Sequence, residues 1–196
     1  MAASEETLVT FTRWLVPTYT QMLAALSGWL DKAAAQKPGA EGEAMLSARL
    51  APDMFPLATQ VRFACVQARE AVYRLQDQPF PPEIDELLNE GRAAGERPGS
   101  LDEARARIAE TLTLLSDVPS EALDRVADLP VAHELANGMT FDLTAEQYAR
   151  DWALGQFYFH VMTAYAILRN QGVALGKADY IPHMLPHLRM PEPAAN

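Results

Sequence analysis

Of the side chains able to do chemistry near neutral pH, His160 has the most informative setting. It lies in Phe157-Tyr158-Phe159-His160-Val161, and an imidazole in so apolar a run needs hydrogen-bond partners. Gln156 sits one helical turn earlier on the same face. Gln60 falls between Leu57 and Val61 in a second amphipathic run. If the two runs pack together in register, its amide points at His160. An imidazole and two carboxamides around one spot would form a polar pocket able to orient a ligand or serve catalysis. The same three groups would equally serve as a bonded cluster that only specifies packing. As a general base, His160 would want a pKa near neutrality, but burial alone lowers it.

The remaining candidates read more simply. His183 and His187 are four apart, but Pro182 and Pro186 interrupt the helix that would align them on a metal. His133 falls on a short strand and could face either side. Cys65 is the only cysteine, so neither an internal disulfide nor a thiolate cage is available. It reads as a small buried hydrophobe, with Arg62 and Arg69 beside it on a solvated face. Asp53 precedes a helix and reads as its N-cap. Tyr148, Tyr158 and Tyr165 read as packing residues with a polar tip, and Arg169 as a partner for a helix C-terminus. The chain has no glycine-rich phosphate loop, no Gly-x-Ser-x-Gly and no His-Glu-x-x-His.

Four helical patterns must position these groups. Leu8, Phe11, Leu15, Tyr19, Met22, Leu26 and Trp29 form the stripe of a first helix over about residues 4–36, which Pro17 should kink or split. Residues 44–50 suggest a short extra helix. Met54, Leu57, Val61, Ala64, Ala68, Val72 and Leu75 mark a second long helix starting at Asp53. Residues 83–91 suggest a short helix, followed by a Gly/Pro loop over 95–99. Ser100 and Glu103 have capping-box spacing before a third stripe of Leu101, Ala104, Ile108, Leu112 and Leu115. Another turn is expected over 120–126. Asn137-Gly138 predicts a two-residue hairpin turn between strands 131–135 and 139–143. Thr144 and Gln147 open the last helix, with Gly172 as its left-handed cap. Trp152, Leu154, Phe157, Phe159, Val161, Ala164, Ile167 and Leu168 surround that helix, so it should be central and buried. The reading is all-α, a four-helix bundle with a small β-hairpin before the last long helix. One domain over 1–180 is expected, with a proline-rich tail over 181–196.

Composition narrows the functions. Of 196 residues, 49% are hydrophobic, enough for a substantial core. The net charge of -10 opposes nucleic acid and anionic membrane surfaces as partners. With no signal-like N-terminus and no apolar run of membrane-spanning length, a cytoplasmic location is expected.

Two stretches carry a resemblance. One is Arg49-Leu50-Ala51-Pro52-Asp53-Met54-Phe55-Pro56-Leu57-Ala58-Thr59-Gln60-Val61. The other is Gln156-Phe157-Tyr158-Phe159-His160-Val161-Met162-Thr163-Ala164-Tyr165-Ala166-Ile167-Leu168-Arg169, with Gly172 and then Gly176-Lys177-Ala178-Asp179-Tyr180. Together they closely resemble a bacterial family of unknown function, DUF1993, which is similar to the DinB/YfiT-like superfamily of four-helix bundles. The resemblance implies that fold and, from many superfamily members, a homodimer. Many members hold a divalent metal on three histidines, one on the second helix and two on the last, and some serve thiol-dependent transfer reactions. Aligned on the last helix, His160 takes the final ligand position, Gln156 the earlier one, and Gln60 the second-helix position. Amide oxygens are weak ligands for zinc or nickel, so no metal and no cofactor is expected. Three readings stay open: a metal-free small-molecule-binding bundle with ligand-binding residues Gln60, Gln156 and His160; a DinB-type enzyme with a degenerate metal site; and a structural homodimer without a ligand.

Overall fold

The computed structural model describes residues 11–124, 130–135 and 137–189. Helix α1 spans Phe11–Gln36, α2 Ala40–Ala44, α3 Leu57–Leu75, α4 Pro82–Ala93 and α5 Leu101–Ser116. Strands β1 (Pro130–Glu134) and β2 (Thr140–Thr144) follow. Then come α6 (Ala145–Gln147), a π-helical turn Tyr148–Ala153, α7 (Leu154–Asn170) and α8 (Lys177–Tyr180). The bundle is a ring: α1 packs on α5 and α7, α3 packs on the same two, and α4 lies along the outside of α3. The all-α architecture with one hairpin before the last long helix is as the periodicity predicts.

The long stripes became the core because each is continuous at helical spacing. Leu15, Tyr19, Leu26 and Trp29 of α1 meet Val61, Ala64 and Ala68 of α3 and Phe157, Val161 and Ala164 of α7 in one cluster of buried residues. At ~25 cal/mol per Å² of apolar surface removed from water, this shared burial stabilises helices that would be marginal alone. The Ser100–Glu103 capping box forms, with Glu103 N–H donating to Ser100 Oγ at 3.1 Å and Ser100 N–H to Glu103 Oε2 at 2.7 Å. The Thr144–Gln147 box forms likewise. Gly172, at φ 84°, closes α7, while Val173 N–H bonds back to Leu168 C=O at 3.0 Å.

Several expectations are corrected. Pro17 lies inside an α1 that runs unbroken, and does not split it. Neighbouring Thr18 donates its hydroxyl to Trp14 C=O at 2.5 Å. Asp53 is exposed and caps nothing; α3 begins after Pro56, which occupies the N-cap position. The short helix near 44–50 comes earlier, as α2 followed by a 3₁₀ turn at Met45–Ser47. The hairpin loop is one residue longer than predicted, because Leu135 N–H bonds Met139 C=O at 2.7 Å, leaving three residues between them. Gly138 there has φ 82°, as three-residue loops require. Helix α7 is not buried all round: Phe159 is 56% exposed and Met162 40%. Its seventeen residues pack mainly on α3 and α1, and one face reaches solvent. Arg62 and Arg69 are buried rather than solvated, because α4 and α5 cover that side of α3. The turn expected over 120–126 is present at 120–124, and the rest of it lies outside the described residues. So do the start of the first stripe before Phe11 and the end of the tail after Arg189.

The segment after Gly172 is fastened to α1. Trp29 Nε1 donates to Asp179 C=O at 2.8 Å, Lys32 pairs with Asp179 at 2.5 Å, and Tyr180 stacks on Trp29. A 3₁₀ stretch, Pro182–His187, follows.

Candidate functional site

Gln60 stands in the first turn of α3, whose entry is held by Leu57 N–H donating to Ala48 C=O at 2.9 Å. His160 lies mid-way along α7, the helix most closely packed on α3. The register guessed from sequence is realised. Gln60 Oε1 and His160 Nδ1 are 2.8 Å apart, with the two residues only 2% and 8% exposed. Gln60 Nε2 donates to Phe55 C=O at 3.1 Å, so its Oε1 is the atom turned to the ring. An amide oxygen accepts and does not donate, so His160 carries its proton on Nδ1. Burial pushes the imidazole down to about 4, so at neutral pH it is uncharged and Nε2 keeps a lone pair. Nε2 makes no hydrogen bond among the described residues.

Aromatic rings frame this imidazole. Phe63 and Phe159 meet it edge-on at 5.3 Å between centroids, and Phe55 meets Phe63 at 5.5 Å. Phe55 and Phe159 are half or more exposed, so the frame reaches the surface. Gln156 does not join the pair. It is half-buried and makes no hydrogen bond among the described residues.

A second polar cluster, at the other end of α3, escaped the sequence reading. His133 faces inward from β1, with its ring centroid 4.2 Å from that of Trp152 and 5.7 Å from that of Tyr148. Arg74 lies over the Tyr148 ring at 5.6 Å and donates to Ala132 C=O at 3.4 Å. Burial raises Glu70 to about 7, against the opposing pull of Arg74. Burial and Arg74 lower His133 to about 4. Tyr19 Oη, Tyr148 Oη, Trp152 Nε1 and His133 Nδ1 are buried without hydrogen-bond partners among the described residues. The only sequence hint was the inward option at His133, because the cluster exists only once the hairpin folds over α3 and α7.

Among the other candidates, burial pushes the Cys65 thiol up to about 11, which keeps it protonated and inert. His183 and His187 lie on the 3₁₀ stretch, and no group of three His, Cys, Asp or Glu among the described residues is arranged to hold a metal.

The sequence profile described as Domain of unknown function (DUF1993) matches residues 11–181. The chain belongs to the DUF1993 family. This DUF1993 chain is also similar to a solved protein, a DinB family member from Shewanella denitrificans. The two are 31% identical with a TM-score of 0.67, over 92% of this chain and 93% of that one. No curated protein sequence matches. The DinB-type metal triad does not fit the residues present. The position-60 amide is engaged by His160 and Phe55, His160 Nδ1 is already bonded, and Gln156 offers only a weak amide donor. No helix among the described residues is long and apolar enough to cross a membrane.

Proposed function

We propose that this DUF1993 bundle binds a small molecule without a metal at His160. The ligand donates a hydrogen bond to Nε2 and lays an apolar face on Phe55, Phe63 and Phe159. The observation that carries this reading is the Gln60–His160 hydrogen bond at 2.8 Å. It fixes the tautomer and leaves Nε2 as an oriented acceptor inside an aromatic frame. Gln156, half-buried one turn away, is the second polar contact for such a ligand. Catalysis by His160 is the weaker alternative. An imidazole held near 4 is too poor a base to take protons efficiently at neutral pH.

The test is a thermal-shift screen of small metabolites and thiols on wild type and on His160→Leu. A ligand that binds only the folded state raises the melting temperature. The expected hit stabilises wild type and not the variant, and protein purified without chelators carries no stoichiometric metal. Hits unaffected by His160→Leu would move the ligand elsewhere, and metal lost in His160→Ala would favour the enzyme reading.

A second reading rests on the exposed Phe55, Phe159 and Met162: this face is where two copies of the chain meet as a structural homodimer. Sedimentation of wild type against Phe159→Glu tests it. A dimer converted to monomer supports it, and an unchanged sedimentation coefficient removes it.

A further inference from the structure

A cleft of about 770 Å³ opens between α4 and α5, within the size range of small-molecule sites. It shares no residue with the Gln60–His160 pair. Arg62 of α3 lines it and is only 4% exposed. Its Nη1 donates to Ala58 C=O at 3.1 Å, and its Nε stands 3.5 Å from Glu90 Oε2. Its Nη2 has no hydrogen-bond partner among the described residues. A Cβ on Gly99 would crowd Glu103 Oε2 first and then that nitrogen, at 2.9 Å, so glycine at 99 leaves room beside both.

Glu86, Glu90 and Glu103 line the cleft with Arg62, Arg97 and Arg107, and the Glu86 carboxylate, like the Arg97 side chain, has no partner among the described residues. Glu90 accepts from Arg107 at 2.5 and 3.1 Å. Glu103 accepts the Ser100 N–H in the capping box at 2.7 Å. The Arg97 side chain has no hydrogen bond or ion pair among the described residues, although it lines the same cleft. The N-terminus of α5 is already satisfied, with Leu101 N–H donating to Glu43 Oε2 at 2.9 Å, so it contributes little attraction. Two guanidinium groups therefore retain open donors, and guanidinium forks match carboxylate and phosphate geometry.

We propose that this cleft binds the oxyanion of a compact small molecule, a carboxylate or a phosphate group, between Arg62 and Arg97. The net charge of -10 repels anions at long range, so the attraction is local and weakens with added salt.

Isothermal titration of the full chain with succinate, and separately with inorganic phosphate, tests this. At least one probe is expected to bind saturably and to shift the Arg62 side-chain resonances in a ¹⁵N spectrum. Arg97→Ala should weaken binding at least about tenfold, as loss of a charged hydrogen bond does. Ala106→Glu, which adds a carboxylate at an exposed position of the cleft wall, should abolish it. Binding of succinate alone assigns a carboxylate ligand, of phosphate alone a phosphorylated one, and of both a bare oxyanion site. No saturable heat with either probe overturns the proposal, as does binding undiminished in both variants. Neither variant touches a buried position, so the fold is not at stake.

Discussion

His160 and His133 are two imidazoles of nearly equal burial, at opposite ends of α3, and they behave differently because of one partner. Burial drives both down to about 4. His160 has Gln60 against Nδ1, so its tautomer is set and Nε2 is oriented. His133 Nδ1 has no partner among the described residues and is buried beside Trp152 and Tyr148. Desolvation thus decides charge at both sites. A side-chain partner decides whether a neutral imidazole presents an oriented acceptor.

Acidification should give the largest effect. Both histidines have folded pKa values below the unfolded 6.5. Between about 6.5 and 4 the unfolded chain therefore holds more protons than the native one. Stability is complete above pH 6.5 and falls as the pH drops through this window. For His160 the loss is up to roughly 3 kcal/mol. Urea denaturation at pH 7.5 and 4.5 should show wild type losing more than His160→Leu. Equal losses would mean that His160 is not what titrates.

Breaking the partner comes next. Gln60→Leu leaves the His160 Nδ1–H unpaired and should cost about 2 kcal/mol, most of it recovered in Gln60→Leu/His160→Leu. His133→Leu has no equivalent bond to lose and should cost less than about 1 kcal/mol. A double-mutant cycle by denaturant unfolding measures the contrast. No coupling between positions 60 and 160 would erase it.

Glu70 sharpens the comparison with the opposite sign. Its folded pKa is raised to about 7, so its contribution is present below the unfolded value of 4.5 and is lost as the pH rises toward 7. At pH 8, Glu70→Gln should stabilise the protein by about 1–2 kcal/mol, with no gain at pH 4.5. Melting curves at the two pH values check it. The smallest effect is expected at Tyr148→Phe. Removing a buried hydroxyl that has no hydrogen-bond partner among the described residues should leave stability within about 1 kcal/mol of wild type. A larger loss would reveal a hydrogen bond for Tyr148 Oη.

How legible each part was depended on the range of the signal. The capping boxes at Ser100 and Thr144 and the cap at Gly172 are contained within a few residues, and all form as read. Gln60 could be matched with His160 because each stood as a polar exception in a long apolar stripe. The exposed face of α7 was not visible, because an apolar residue such as Phe159 reads the same whether or not a neighbour covers it. Arg62 and Arg69 were misread for the converse reason. Their local pattern is that of a surface, and only the arrival of α4 and α5 buries them.

The sequence by itself determined the long helices, the ends marked by capping boxes and Gly172, and the bundle class, because backbone capping and amphipathic periodicity are local and repeat every turn. Tertiary structure alone decided which imidazole gained a partner, which hydroxyls were sealed under the hairpin, and which arginines line a cleft. Those outcomes depend on desolvation and on contacts between residues as far apart as 60 and 160, and neither is encoded in any single segment.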